Sequence, residues 1–154
     1  MKEFVEKLIM REILFKAKRI DNGEWVEGNL IITPKADEDF KAIIIPFDDN
    51  NEYTEGVNDS DLGFETWYKV DMTTICQQTG LTDKNGNKIW ENDVVRLYED
   101  LYIITWEEDV AMFALEDVGI IEHFGNVDSK WCEVVGNKFD NKELLEGSEL
   151  YEID

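Results

Sequence analysis

The residues best equipped for chemistry are few: Cys76, Cys132 and the single histidine, His123. A thiol and an imidazole can form a nucleophilic pair in which the ring takes the thiol proton. Each cysteine, however, sits among strand formers, in Thr74-Ile75-Cys76 and in Trp131-Cys132-Glu133-Val134-Val135. The expected reading is therefore two free, buried thiols. A disulfide would need an oxidising compartment, which nothing in the chain supports. Zinc would have to use Cys76, Cys132 and His123 with an acid, at spacings that match no standard zinc module. A Cys76–His123 or Cys132–His123 pair stays open, because such partners need only meet in space. No cofactor and no metal are expected.

The acids raise a calcium question, which the twelve-residue loop pattern answers. From Asp83, the residues Asp83, Asn85 and Asn87 fit positions one, three and five, but Lys88 and Val94 occupy positions six and twelve. From Asp48, positions six and twelve are Tyr53 and Asp59; from Asp59 they are Phe64 and Val70. None of the three has the glycine and closing glutamate that the geometry requires. Asp48, Asp49 and Glu52, or Asp59 and Asp61, are left as candidates for adventitious divalent binding or for contact with a partner, with a solvated acidic loop as the simpler reading.

The elements that must carry these residues are strands. Over 154 residues, 36 Asp and Glu face 15 Lys and Arg for a net charge of −21, yet 43% of the chain is hydrophobic and 12% aromatic. That is too apolar for an acidic disordered tail, so a packed core is expected, with the charge on its surface. Such a surface repels phosphate backbones and argues against direct nucleic-acid binding. No apolar run is long enough to span a bilayer, and MKEFVEKLIM lacks the apolar stretch of a secretion signal. The expectation is a soluble, cytoplasmic protein with no membrane partner.

A period of two dominates, broken by turn residues. Ile13, Phe15 and Ala17 alternate up to Asp21-Asn22-Gly23, predicting a hairpin whose return strand runs from Trp25 to Ile32. In it Val26, Leu30 and Ile32 share a face, Gly28 suggests a bulge, and Pro34 closes the strand. Residues 42–47 read as a buried strand ended by Pro46. Residues 48–63 carry six acids and no base, a long loop expected to be disordered or functional. Asn85-Gly86 is the strongest hairpin turn in the chain. Leu101 to Trp106 is apolar on both faces, so that strand must be covered on both. With Val94 to Tyr98, Val110 to Leu115, Ile120 to Phe124 and Trp131 to Val135 it makes five strands, enough to curl into a small barrel. Asp140 is placed to cap one helical turn through Leu144 and Leu145. Residues 1–9 form either a short amphipathic helix or an extension upstream of a domain that starts at Met10.

Three stretches together resemble the YopX family of small proteins encoded by bacteriophages and prophages. The first is Met10 to Ala17 followed by Gly23-Glu24-Trp25-Val26-Glu27-Gly28. The second and most specific is Gln78-Thr79-Gly80-Leu81-Thr82-Asp83-Lys84-Asn85-Gly86 with Ile89-Trp90-Glu91-Asn92-Asp93-Val94-Val95. The third is Glu133-Val134-Val135-Gly136-Asn137 with Phe139, Asn141, Glu143, Leu144 and Leu145. Gln78, Met72 and Asn92 depart from the family pattern, which usually has an aromatic, a Pro and a Gly there. Asn tolerates the left-handed region better than most residues. The resemblance implies a mainly β fold with little helix: an SH3-type β-barrel over 71–147, an N-terminal β segment over 10–70 and a tail over 148–154. It implies no reaction.

Read physically, the motif residues are turn formers and core formers, with Trp90 the one candidate partner anchor if exposed. The functional expectation is a non-enzymatic module that binds a host or phage protein inside a bacterial cell, through Trp90 or through Asp48, Asp49, Glu52, Asp59 and Asp61. The alternative is a DNA mimic, favoured by a charge of −7 on residues 1–70 and −14 on residues 71–154. A small enzyme using Cys and His or a carboxylate-bound metal is a third reading. The oligomeric state is left open, a homo-oligomer included.

Overall fold

The computed structural model describes residues 12–33, 41–48, 50–55, 63–117 and 120–146. The expectations for residues 1–9, for Pro34 and for the tail at 148–154 lie outside them. The fold is mainly β, with about 53% strand and almost no helix. It divides into two compact units between Gln77 and Gln78.

In the first unit, β1 (Phe15–Lys18), β2 (Trp25–Ile32), β3 (Ala42–Pro46) and β4 (Tyr68–Lys69) pair antiparallel in chain order. The predicted hairpin forms, and Gly23 supplies the left-handed residue of its turn at φ 72°. Ala17, Ala42, Ile44 and Val70 make the core, with Val26, Leu30 and Ile75 against it. Each fully buried Ile or Val contributes about 1.5–3 kcal/mol by leaving water. Two facings differ from expectation: Ile13 and Ile32 are exposed, and Leu14 is buried instead of Ile13. Ile13 lies two residues before β1, outside the alternation of the strand, and Ile32 is the last residue of β2, beyond the core that covers Val26 and Leu30. Beyond β1, Arg19 bridges Val70, the Ile20 amide donates to Lys69 O at 3.0 Å and the Asp71 amide to Lys18 O at 2.8 Å. Gly28 sits in continuous register opposite Pro46, without the expected bulge. Its role is close approach: a Cβ there would collide with the Ile45 carbonyl oxygen and lie 2.9 Å from Pro46 Cα.

A 3₁₀ turn at Met72–Thr74, capped by Asp71, leads into β5 (Cys76–Thr82). Its first two residues pair with β1, and from Gln78 onward it pairs with β6 (Lys88–Trp90) in the second unit. There β7 (Asp93–Leu97), β8 (Asp100–Glu107), β9 (Met112–Asp117), β10 (Ile120–His123) and β11 (Cys132–Asn137) form one sheet in the order β10-β9-β8-β7-β11. β8 is covered on both faces as predicted, except at Trp106, which is exposed. Tyr102 and Ile104 join a cluster with Ile89, Val95, Leu97, Leu115, Phe124 and Cys132. Leu101 and Ile103 pack with Val94, Val135, Leu144 and Leu145 on the opposite side.

The sheet does not close, which corrects the barrel expectation. Among the described residues, the outer edge of β11 is already occupied. Lys84 donates its amide to Cys132 O at 3.0 Å, and the Val134 amide donates to Asp83 Oδ2 at 3.0 Å. A carboxylate and one amide thus take the place of a further strand, a way of blunting an edge against unwanted pairing. Two local features also differ from the sequence reading. A one-turn helix, α1 (Asn126–Ser129), lies between β10 and β11. In the last turn, a 3₁₀ helix at Lys142–Leu144, the N-cap position is held by Asn141 without a side-chain capping bond and not by Asp140, whose carboxylate accepts from Asn137 Nδ2 at 3.2 Å.

Candidate functional site

The motif over 78–95 builds two turns, each organised by one buried aspartate, Asp83 and Asp93. Asp83 Oδ1 accepts from the amides of Asn85 and Asn87 at 2.9 and 2.8 Å, while Oδ2 takes Asn87 Nδ2 and the Val134 amide. The buried carboxyl is pushed up by desolvation, but these donors outweigh that effect and hold it below its ordinary 3.8. Gly86 completes the turn at φ 82°. In the second turn Asp93 Oδ2 accepts from the Trp90 amide at 2.8 Å, and Asn92 sits at φ 71°, in the left-handed conformation its replacement of a glycine requires. Trp90 is 4% exposed. It is a core residue that holds this turn down, so the expectation of an exposed Trp90 anchor is corrected. An indole of that size is drawn inside whenever a neighbouring sheet can cover it.

The closing motif is structural as well. Gly136 lies where β11 shifts register against β7, and a Cβ there would come 2.6 Å from Asn141 Oδ1. Asn141 Oδ1 accepts from the Asn137 amide at 3.1 Å, and Asn137 Oδ1 accepts from the amides of Phe139 and Asp140.

The cysteines are both free and buried. Cys76 Sγ donates to Thr74 O at 3.3 Å and Cys132 Sγ to Ser129 O at 3.4 Å. Burial pushes the Cys132 thiol up to about 11, with the Asp83 charge adding to it. His123 is exposed on β10, opposite Ala114. Among the described residues, no three His, Cys, Asp or Glu are grouped to hold a metal ion. A thiolate, not a thiol, reacts. Ellman's reagent is therefore expected to find no accessible thiol in the native protein at pH 8 and two after denaturation; one fast-reacting native thiol would contradict this geometry.

Of the acidic positions, Asp49, Asp59 and Asp61 lie outside the described residues, and Asp48 and Glu52 are exposed. The two ends of the acidic loop are tied together, while residues 49 and 56–62 between them lie outside the described residues. Asn51 pairs with the Thr66 backbone, donating to Thr66 O at 2.8 Å and accepting from its amide at 3.0 Å. Tyr53 bridges Phe64, their rings 5.6 Å apart, and the Thr54 amide donates to Gly63 O at 2.7 Å. Phe47 and Tyr53 stand 67% and 63% exposed at this base, with Asp48, Glu52 and Glu55 beside them. A hollow of about 200 Å³ opens next to Phe47, Asp48, Asn51 and Phe64. Sequence reasoning singled out the acids and passed over Phe47 and Tyr53, since no pattern distinguishes an exposed aromatic from a buried one here.

The model of one family, described as YopX protein, matches residues 14–146. The chain belongs to the YopX family. The turns at Asp83 and Asp93 and the Gly136-Asn137-Asn141 lock, all inside that match, are what this YopX-family chain uses to frame its second unit. A solved structure, protein EF1440 from Enterococcus faecalis, is 24% identical, with a TM-score of 0.56 over 88% of this chain and 99% of that one. That likeness concerns the fold. Comparison with curated proteins gives no match. Among the described residues, no helix is long and apolar enough to cross a membrane.

Proposed function

We propose that this YopX-family protein is a non-enzymatic interaction module that docks a basic protein surface, host or phage, through the base of its acidic loop. The observation that carries the reading is the pairing of exposed Phe47 and Tyr53 with Asp48, Glu52 and Glu55 on a backbone pinned by Asn51 and Thr66. Aromatic anchors supply most interface energy, and a loop already held in place loses less entropy on binding. The acids would speed encounter with a basic partner and make it sensitive to salt. The same reading gives the second unit an SH3-type arrangement, supported by its five-stranded antiparallel sheet with an apolar cluster on each side.

The mimic reading is less favoured by the placement of the acids. Glu99-Asp100 and Glu107-Glu108-Asp109 lie at opposite ends of β8, roughly 20 Å apart, while consecutive Glu116 and Asp117 in β9 point to opposite faces. A mimic needs charges in rows. In a co-purification from expressing cells, a partner retained by the wild type is expected to fall about tenfold with Phe47→Ala combined with Tyr53→Ala, at unchanged circular dichroism and Tm. Equal recovery by both proteins would overturn the assignment of the docking surface.

A further inference from the structure

Tyr98 and Glu99 make the two-residue turn between β7 and β8, closed by the pair Leu97↔Asp100. Of the two, only Tyr98 lies at positive φ, at 59°. That is the left-handed region, which glycine enters without steric cost. A bulky aromatic there is an outlier. Burial does not account for it, because Tyr98 is 79% exposed. On the adjacent strand, Trp131 immediately precedes Cys132, the partner of Leu97. Tyr98 and Trp131 therefore each stand one step beyond the last pair of β7 and β11, and Trp131 is 64% exposed. Two large exposed aromatics thus flank the paired ends of neighbouring strands at the same end of the sheet, and one of them is held by a backbone conformation that glycine would adopt more cheaply. Strain kept at an exposed position points to use.

We propose that Tyr98 and Trp131 form a second docking surface, one that takes a protein segment carrying arginine or lysine. Ring faces attract cations. Glu99 and Asp100, both exposed, lie next to Tyr98, and residues 78–154 carry six bases against nineteen acids. Such a field draws a cationic segment in and repels a polyanion. The proposal rests on the second unit alone and is independent of the loop at Phe47 and Tyr53.

The test titrates the ¹⁵N-labelled full chain with acetyl-GRGRG-amide and with acetyl-GEGEG-amide. The readout is the Trp131 indole N–H resonance, identified by its loss in Trp131→Phe. A saturable shift is expected with the arginine peptide and none with the glutamate peptide. Tyr98→Gly should raise Tm by several degrees while weakening the response about tenfold, and Trp131→Ala, judged by the amide signals of Glu99 and Asp100, should weaken it equally with Tm unchanged. Phe47→Ala should leave the response intact, which separates this surface from the one proposed above. Absence of any shift, a response that survives both Tyr98→Gly and Trp131→Ala, or a fall in Tm for Tyr98→Gly would overturn the proposal. So would a concentration-dependent dimer abolished by Trp131→Ala, since that would assign the patch to a second copy.

Discussion

Replacing Gly28 by alanine is expected to cost at least ~3 kcal/mol, lowering Tm by roughly 15 °C. The added methyl would meet the Ile45 carbonyl oxygen directly and sit 2.8 Å from Ile45 C and 2.9 Å from Pro46 Cα. All three are backbone atoms of β3, so no side-chain rotation relieves the clash. Either β2 and β3 separate, breaking the ladder that joins Asn29 to Ile45 and Leu30 to Ile44, or the chain bends and opens the core around Ile44. The control is Gly86→Ala. Its added Cβ would meet nothing within 4 Å, and only the φ of 82° opposes it, a penalty of about 1 kcal/mol. Urea denaturation of both variants checks the contrast, and amide exchange at Ile43 to Ile45 locates it. Equal losses for the two glycines would show that close approach is not what Gly28 provides.

Asp83→Ala is expected to cost about 3 kcal/mol. The carboxylate satisfies the amides of Asn85, Asn87 and Val134 and the side chain of Asn87, so its removal leaves four partly buried donors without their acceptor. The loss also reopens the edge of β11 at Val134, so Asp83→Ala should self-associate in sedimentation while the wild type at equal concentration does not. The pH dependence follows from the direction of the shift. Unfolded, the carboxyl titrates at its ordinary 3.8; folded, its hydrogen bonds hold it lower. In the interval between them the unfolded chain binds the proton and the folded one does not, so stability rises with pH there. The contribution is complete above the ordinary carboxylate range and disappears as pH falls through the folded value. Wild type and Asp83→Asn should therefore differ most near neutrality and converge in acid, as followed by urea midpoints between pH 7 and 2. A constant gap across that range would mean that the carboxylate charge has no part in holding the turn.

Much of this architecture was legible from residue types alone. Alternation in Phe15 and Ala17, the Asp21-Asn22-Gly23 turn and the Asn85-Gly86 turn specify strands and hairpins locally, and those formed where expected. Apolar residues on both faces of the stretch from Leu101 to Trp106 required two covering layers, and two apolar clusters provide them. The resemblance to the YopX family rested on turn and core residues and coincides with the match over 14–146. Less was legible about the sites. Trp90 and Trp131 are the same residue type in similar strand contexts, yet one is buried and the other exposed, because burial depends on what another part of the chain lays over the ring. The same limit hid Phe47 and Tyr53.

Local periodicity and turn chemistry, which act between residues a few positions apart, are thus enough to make this chain a set of short antiparallel strands with a negatively charged surface. Three features came only from the tertiary structure: which edge Asp83 blocks, why Gly28 must lack a side chain, and which aromatics remain outside. Asp83 meets Val134 across 51 positions, and Gly28 meets the backbone of Ile45 on the neighbouring strand. Such contacts depend on how segments distant in sequence are brought together, and no pattern confined to one segment encodes them.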